Sequence, residues 1–302
     1  VIANAWMNTP TGFDLVNGQV TAIDPLAAMA NPAALPQTIH MTLAAYAATG
    51  FAVAGIHALL LRFDPHNMFH RRAITIGLLV GGPAAVLQPL SGDFSARHLA
   101  VHQPVKLAAA EALFETRRGA PLMVGGWPDM DSRTVRFGLE IPYGLSLLAY
   151  HDPQAEVRGL DQAERDDWPH VPTVHLAFQI MVGIGTYMAL VALWYLWAVL
   201  RRRDLATNRL LLAAITLAGP LGFLAIEAGW TVTEVGRQPW IIHGVLRTSH
   251  AVTPMPGLTW TFTGFSLLYL FLGLVVAWLL YAQIIRSPRH QEWHRRYFPG
   301  ER

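Results

Sequence analysis

The chain has 302 residues, of which 53% are hydrophobic and only 14% charged, with ten Trp, no Cys and a formal net charge of +2. A soluble globular protein carries about a quarter charged residues, so disorder, a coiled coil and a disulfide-stapled scaffold are excluded. Length alone allows one or two soluble domains, but the distribution of the apolar residues indicates a membrane protein.

The chain opens on Val1, and residues 1–35 hold neither the basic region nor the apolar run of a signal peptide. We expect it to be the carboxyl-terminal piece of a longer chain. A helix needs about 20 mostly apolar residues to cross a bilayer. Five stretches are candidates: 38–61, 73–90, 174–200, 210–230 and 260–285. Only the fourth carries a charge, the carboxylate of Glu227. In the second, Gly81-Gly82-Pro83 suits a kink or a close helix approach. The expected fold class is all-α, a polytopic transmembrane helix bundle. Five membrane helices would form one membrane domain over 1–302, with a long extracytoplasmic loop at 91–173.

Charge sets the expected orientation. The connections after the first and third segments and the tail after the fifth together hold 12 basic and 4 acidic residues, whereas 91–173 holds 8 basic and 12 acidic. Basic loops stay in the cytoplasm. The amino end of this stretch is therefore expected outside and the carboxyl tail inside. The same topology explains the pI near 9.1, with no indication of nucleic-acid binding.

A loop as long as 91–173 is usually functional or disordered. Pro104 can start a helix within it and Gly119 can stop it. Leu107, Ala108, Leu113 and Phe114 form an apolar stripe, with Lys106, Glu111 and Glu115 off it. A short helix lying on the membrane surface is expected there. Residues 161–168, dense in charge, read as a solvated turn.

Ionisable groups within a membrane point to function. If the fourth helix continues past Trp230, the spacing of Glu227, Trp230, Glu234 and Arg237 puts all four on one face. One reading is a Glu234–Arg237 ion pair at the helix end plus a buried, protonated Glu227. The other is a proton path or cofactor pocket. His40 and Met181 lie near the outer ends of the first and third segments, at similar depth by a rise of ~1.5 Å per residue. His and Met are a pair of axial ligands for low-spin haem. Each alone also suits an ordinary interhelical hydrogen bond or apolar filling, and His57 and His175 compete with His40. His66 and His70, at i and i+4, are a possible metal pair in a basic loop. No phosphate-binding Gly loop, Gly-x-Ser-x-Gly or His-Glu-x-x-His is present.

The run Glu227-Ala-Gly-Trp230-Thr-Val-Thr-Glu234-Val-Gly-Arg237-Gln-Pro-Trp240, followed by Gly244-Val-Leu-Arg247-Thr248, closely resembles the signature of subunit I of cytochrome bd-type quinol oxidases. Other blocks agree in order: Asn4 to Pro10; Gln37-Thr-Ile-His40 with Ala45-Tyr46 and Gly50; Gly92-Asp93; Gln103-Pro-Val-Lys106-Leu-Ala-Ala-Ala-Glu111; and Phe178-Gln-Ile-Met181-Val. The resemblance covers nearly the whole chain.

It implies a haem-containing membrane oxidoreductase that oxidises ubiquinol or menaquinol at its outer face and reduces O2 to water in a bacterial-type cytoplasmic membrane. His40 and Met181 would ligate a low-spin haem b. Glu234 would ligate a high-spin haem b, with Arg237 on its charge or propionates. A haem d or a third haem b would complete the intact subunit. Lys106 and Glu111 would bind and deprotonate quinol in the outer loop, with Asp93 a weaker candidate. Lys106 and Glu111 are five apart, so they do not share a helix face and quinol would lie across both. Trp230 would assist electron transfer between haems, and Glu227 would handle protons. The implied partners are a subunit II, a small single-helix subunit and membrane lipid.

Two departures from the family stand out. Gln179 occupies a position where many members have Arg, so no charge is supplied there to a haem propionate. The family's amino-terminal helices are not in this sequence, so the stretch by itself is not expected to complete oxygen reduction. Two readings from other classes remain: a haem-free transporter relaying protons through Glu227 and Glu234, and a structural subunit that docks another helical protein. Haem content separates the first reading from both.

Overall fold

The computed structural model describes residues 1–204 and 208–284. The expected basic tail (Arg286, Arg289, Arg295, Arg296 and Arg302, with Glu292 and Glu301) lies outside the described residues. The chain divides into two compact units, 1–251 and 252–302.

Among the described residues, nine α-helices run in chain order. They are α1 (Ile2–Asn8), α2 (Pro25–Met29), α3 (Ala34–Phe63), α4 (Met68–His102), α5 (Pro104–Glu111), α6 (Gly144–Tyr150), α7 (Val171–Leu200), α8 (Arg209–Val235) and α9 (Leu258–Ile284). Five of these, α3, α4, α7, α8 and α9, are long and apolar enough to cross a membrane, as the sequence indicates. In the second unit α9 is a helix of 27 residues with no charged side chain.

In the first unit α3, α4, α7 and α8 form a ring. Helix α3 packs on α4 and α8, and α7 packs on the same two; α3 and α7 therefore occupy diagonal corners. The helices approach through small residues, as expected where lipid tails remove any hydrophobic drive between helices. A Cβ on Gly50 would lie 2.6 Å from the Cα of Gly81. One on Gly55 would lie 2.9 Å from the Cα of Gly219. The close approach expected at Gly81 is thus present. Phe51, Leu61, Ile74, Leu211, Leu212 and Ile215 fill the space between these contacts and are fully buried.

Asn67 caps α4 by accepting from the Phe69 and His70 amides, and Asn208 caps α8 by accepting from Leu211. The two basic connections meet at this end: Arg71 forms an ion pair with Asp204 at 2.7 Å.

Helix α4 overruns the expected segment. It passes Pro83 and Pro89 and continues through Ser91 and Asp93 to His102. The first 12 residues of the expected loop are therefore helix. The expected surface helix is also corrected. Helix α5 is eight residues long, ends where Ala112 adopts φ 51°, and buries Lys106 through Glu111. It belongs to a second core with Leu113, Phe114, Leu145, Leu160, Val171, Val174 and Val232.

Short antiparallel ladders hold the connections. β1 (Asp14–Val16) pairs with β2 (Gln19–Thr21). β3 (Arg117–Arg118), β4 (Leu122–Val124) and β5 (Trp127–Asp129) are followed by β6 (Thr134–Arg136), β7 (Leu139–Ile141) and β8 (Glu156–Val157). They pair as nested hairpins, β5 with β6, β4 with β7 and β3 with β8. β9 (Trp240–Ile242) pairs with β10 (Leu246–Arg247). The charged stretch at 161–168 contributes to two 3-10 turns that expose Asp161, Arg165 and Asp166 while anchoring on buried Leu160, in keeping with a solvated turn.

Candidate functional site

Helix α8 continues past Trp230 to Val235. Glu234 lies in its last turn. Arg237 follows the helix and folds back, giving Nη2 to Glu234 Oε2 at 2.5 Å. Asn4 of α1 donates to Glu234 Oε1. Asn8, with no exposed surface, donates to Asn4 O at 2.9 Å and to Asn4 Oδ1 at 3.0 Å. Asn8 Oδ1 accepts from Lys106 Nζ, which also reaches Thr233 O at 3.3 Å. Gln103 donates to Asn8 O at 2.7 Å. A continuous polar chain thus runs Lys106–Asn8–Asn4–Glu234–Arg237. It joins groups the sequence reading assigned to two separate sites. Asn4, Asn8 and Gln103 are functional candidates missed as individuals. The only signal for them was that they sit in the Asn4-to-Pro10 and Gln103-Pro blocks.

Burial shapes the charges. It pulls the Lys106 ammonium down to about 7, aided by the Arg237 cation and opposed by Glu234. It lowers Arg237, again against Glu234. It pushes the Glu111 carboxyl up to about 8, against the Met123 N–H that its carboxylate accepts. Arg237 also keeps Nε and Nη1 buried without a partner. A buried guanidinium leaves donors open at a cost of about 1–3 kcal/mol each, so this corner is built for a further acceptor such as a carboxylate.

A cavity of about 210 Å³ opens beside this chain, lined among others by Gln103, Lys106, Asp167, Arg237, Trp240 and His243. Glu111 does not line it. The two loop candidates point apart, as their spacing of five requires: Lys106 toward α1 and α8, Glu111 toward Met123 N, which gives it a bond of 3.4 Å. Glu111 Oε1 is buried without a partner. Asp93 lies inside α4, not in a loop, and pairs with Arg97 at 2.7 Å and His151 at 3.7 Å.

His40 lies in α3, beside α4. Ser91 donates its one hydroxyl proton to Gln88 O at 2.9 Å, so its oxygen accepts from His40 Nδ1 at 2.9 Å. That fixes the proton on Nδ1 and leaves a lone pair on Nε2, which Gln88 Nε2 meets at 3.2 Å. A metal-ligating imidazole needs this arrangement, with its far N–H held by an acceptor. Gln88 Oε1 and Thr38 Oγ1 nearby are buried without partners. Met181 lies on α7, the diagonal helix, its sulfur 3.1 Å from where a Cβ on Gly229 would be. Gly229 is next to Trp230, which is half-buried.

The competitors are engaged elsewhere. His175 sets its ring nitrogens against Ala110 O at 2.8 Å and Gly125 O at 3.1 Å. His57 bonds His70 between their Nδ1 atoms at 2.9 Å, so His70 pairs across helices, not with His66. No group of three metal-ligating side chains occurs among the described residues. Glu227 is exposed on the surface of this unit, which corrects the reading of a buried carboxyl, although the Glu234–Arg237 pair of that reading is present.

The sequence profile of the family Cytochrome bd terminal oxidase subunit I matches residues 1–288. A Bacillus subtilis (strain 168) protein provisionally named cytochrome bd menaquinol oxidase subunit I is 36% identical over 290 residues, covering 94% of this chain and 65% of that protein. The cytochrome bd ubiquinol oxidase subunit 1 of the same organism is 33% identical over 306 residues, covering 97% of this chain and 65% of that one. The solved structure of bd oxidase from Geobacillus thermodenitrificans superposes with a TM-score of 0.86 at 38% identity, covering 95% of this chain and 66% of that chain. The chain thus spans just under two thirds of the length of these relatives.

Proposed function

The chain belongs to the cytochrome bd terminal oxidase subunit I family, and on that premise we propose that it serves a membrane quinol oxidase that reduces O2 to water. Quinol releases two electrons and two protons on becoming quinone, and each O2 takes four electrons and four protons to give two waters. The observation that carries the reading is the polar chain from Lys106 to Arg237, ending on buried guanidinium donors that await an acceptor.

The donor set fits haem. His40 offers an Nε2 lone pair, and Met181 offers a thioether from the diagonal helix; together they would hold the low-spin haem b. Glu234 would hold the high-spin haem b. A carboxylate has about four lone-pair sites, so its bonds to Asn4 and Arg237 leave capacity. The free Arg237 donors would take a propionate. A haem d or a third haem b belongs to the intact subunit. Haem iron supplies reversible one-electron transfer when bound.

The protein's own residues handle quinol and protons. Lys106, titrating at about 7, donates a hydrogen bond to quinol oxygen in the cavity it lines. Glu111, held at about 8, is a stronger base than an ordinary carboxylate; buried outside that cavity, it takes a quinol proton by relay onto its unpartnered Oε1, not by direct contact. Asp93, anchored by Arg97, is a weaker quinol contact. Trp230, next to the Gly229 that meets Met181, would provide an aromatic surface for electron transfer, and Glu227 handles protons. Protons are released outside and drawn from inside, so the reaction charges the membrane without a pump.

The proposed orientation places residues 103–170 and the amino end of this stretch outside a bacterial-type cytoplasmic membrane, and the Arg71–Asp204 end inside. The partners are ubiquinol or menaquinol, O2, a subunit II, a small single-helix subunit and lipid. Glu234→Ala in the intact oxidase tests the reading. Loss of high-spin haem b with the low-spin haem retained supports it; unchanged content of both refutes the Glu234 assignment.

A further inference from the structure

The site around Glu111 contains two side chains with no role so far. Gln179 of α7 uses both ends of its amide on one backbone segment. Its Nε2 donates to Met123 O at 2.9 Å, and its Oε1 accepts from Gly125 N at 2.9 Å. One turn earlier, fully buried His175 meets Gly125 O at 3.1 Å and Ala110 O at 2.8 Å. The segment so gripped is the one that gives Met123 N–H to Glu111 Oε2, and Ala110 is the residue before Glu111. Two turns of α7 therefore fix both the backbone that carries Glu111 and the backbone that orients its carboxyl. One Glu111 oxygen is held and the other is left open.

We propose that Gln179 and His175 are positioning residues that clamp Met123–Gly125 against Glu111 and so set the orientation of its buried, unpartnered oxygen for accepting a quinol proton. This rests on the quinol role proposed above for Glu111. It assigns Gln179 to the outer loop, although the resemblance to the family directs attention to a haem propionate at that position. Gly125 sits at φ 67°, in the left-handed region that glycine adopts readily, so the clamp holds the turn at a conformationally permissive residue. The geometry explains why Gln suits the position: the segment presents one acceptor and one donor, and only an amide supplies both complements in one plane. Arg supplies donors alone.

The test uses the assembled oxidase with Gln179→Leu, Gln179→Arg and His175→Gln. The readouts are hydrogen exchange of residues 121–127, quinol KM and kcat, and the midpoint potential of the low-spin haem. Gln179→Leu is expected to speed exchange at Gly125 on the order of fivefold or more, the loss of one net hydrogen bond. Quinol KM should rise at least as much, with the potential unchanged. Gln179→Arg should retain slow opening at the Met123 carbonyl side but expose the Gly125 amide. His175→Gln keeps a donor and should fall between wild type and Gln179→Leu. Unchanged exchange, or a shifted potential with unchanged KM, overturns the proposal. Faster exchange with unchanged KM also overturns it, provided Glu111→Gln does impair quinol oxidation. If Glu111→Gln leaves quinol kinetics intact, the quinol reading of Glu111 has failed instead. Exchange then decides the clamp alone, faster exchange supporting it and unchanged exchange refuting it.

Discussion

Replacing Asn8 perturbs the centre of the polar chain. Asn8 Oδ1 accepts from the Lys106 ammonium, and among the described residues no other side chain does so. A hydrogen bond to a charged group contributes about 1.5–3 kcal/mol net, and one pKa unit corresponds to about 1.36 kcal/mol. Asn8→Ala should therefore move Lys106 from about 7 down by roughly one to two units. At pH 7 the ammonium falls from about half of the population to about a tenth or less. Quinol KM at pH 7 should rise accordingly, by about fivefold or more, and recover toward wild type near pH 5, where Lys106 is protonated again. Asn8→Asp should do the reverse. A carboxylate beside the ammonium raises Lys106, so the low-KM range extends to higher pH. The assay is quinol KM between pH 5 and 9 in membranes carrying each variant. Two variants that shift the profile in the same direction, or not at all, would refute the role of Lys106 as the quinol donor.

Three other outcomes follow. Glu111 titrates near 8 in the folded protein against 4.5 ordinarily. Its contribution to stability is full below about 4.5 and is lost as pH rises through 8. The melting temperature of wild type should therefore fall across that window more steeply than that of Glu111→Gln, and parallel curves would contradict the burial of Glu111. Gly50→Val should destabilise the assembly by about 1–3 kcal/mol or more through overpacking, because the Gly81 backbone lies 2.6 Å from its Cβ position; a wild-type melting temperature would show that α3 and α4 are not in such close contact. Arg71→Ala should cost only about 0–1 kcal/mol, since the pair is 27% and 46% exposed, and a larger loss in thermal melting would mean that the two connections depend on it.

The membrane helices were legible because lipid demands long apolar runs with almost no charge, and 38–61, 174–200 and 210–230, with Glu227 the one charge among them, carry that mark. Hydropathy reports the bilayer and not the helix, however. It ended the second segment at residue 90, where Ser91, Asp93 and Arg97 begin, although a helix leaving the membrane keeps its backbone bonds and simply changes its side chains. The burial of α5 was illegible for a related reason. Lys106 and Glu111 read as water-facing because buried charges are rare, and what makes them tolerable is distant in sequence: Asn8 lies 98 residues from Lys106, and Asn4 lies 230 from Glu234. The candidates came from the sequence in three ways: His40 and Met181 by residue type and depth, Glu227, Trp230, Glu234 and Arg237 by helical spacing, and Lys106, Glu111 and Asp93 as quinol contacts by resemblance. The link between Lys106 and Glu234 needed the fold. The short ladders were missed because two or three residues carry no periodicity.

The most direct test of the haem reading is a reduced-minus-oxidised visible spectrum of membranes containing the intact oxidase, wild type beside His40→Ala. The His40 ring is held with Nε2 as its acceptor, a lone pair that Gln88 meets and would yield to iron, so the account predicts loss of the sharp low-spin b band in the variant, with the remaining haem bands retained. An unchanged low-spin band would contradict it, and would remove His40 as a haem ligand.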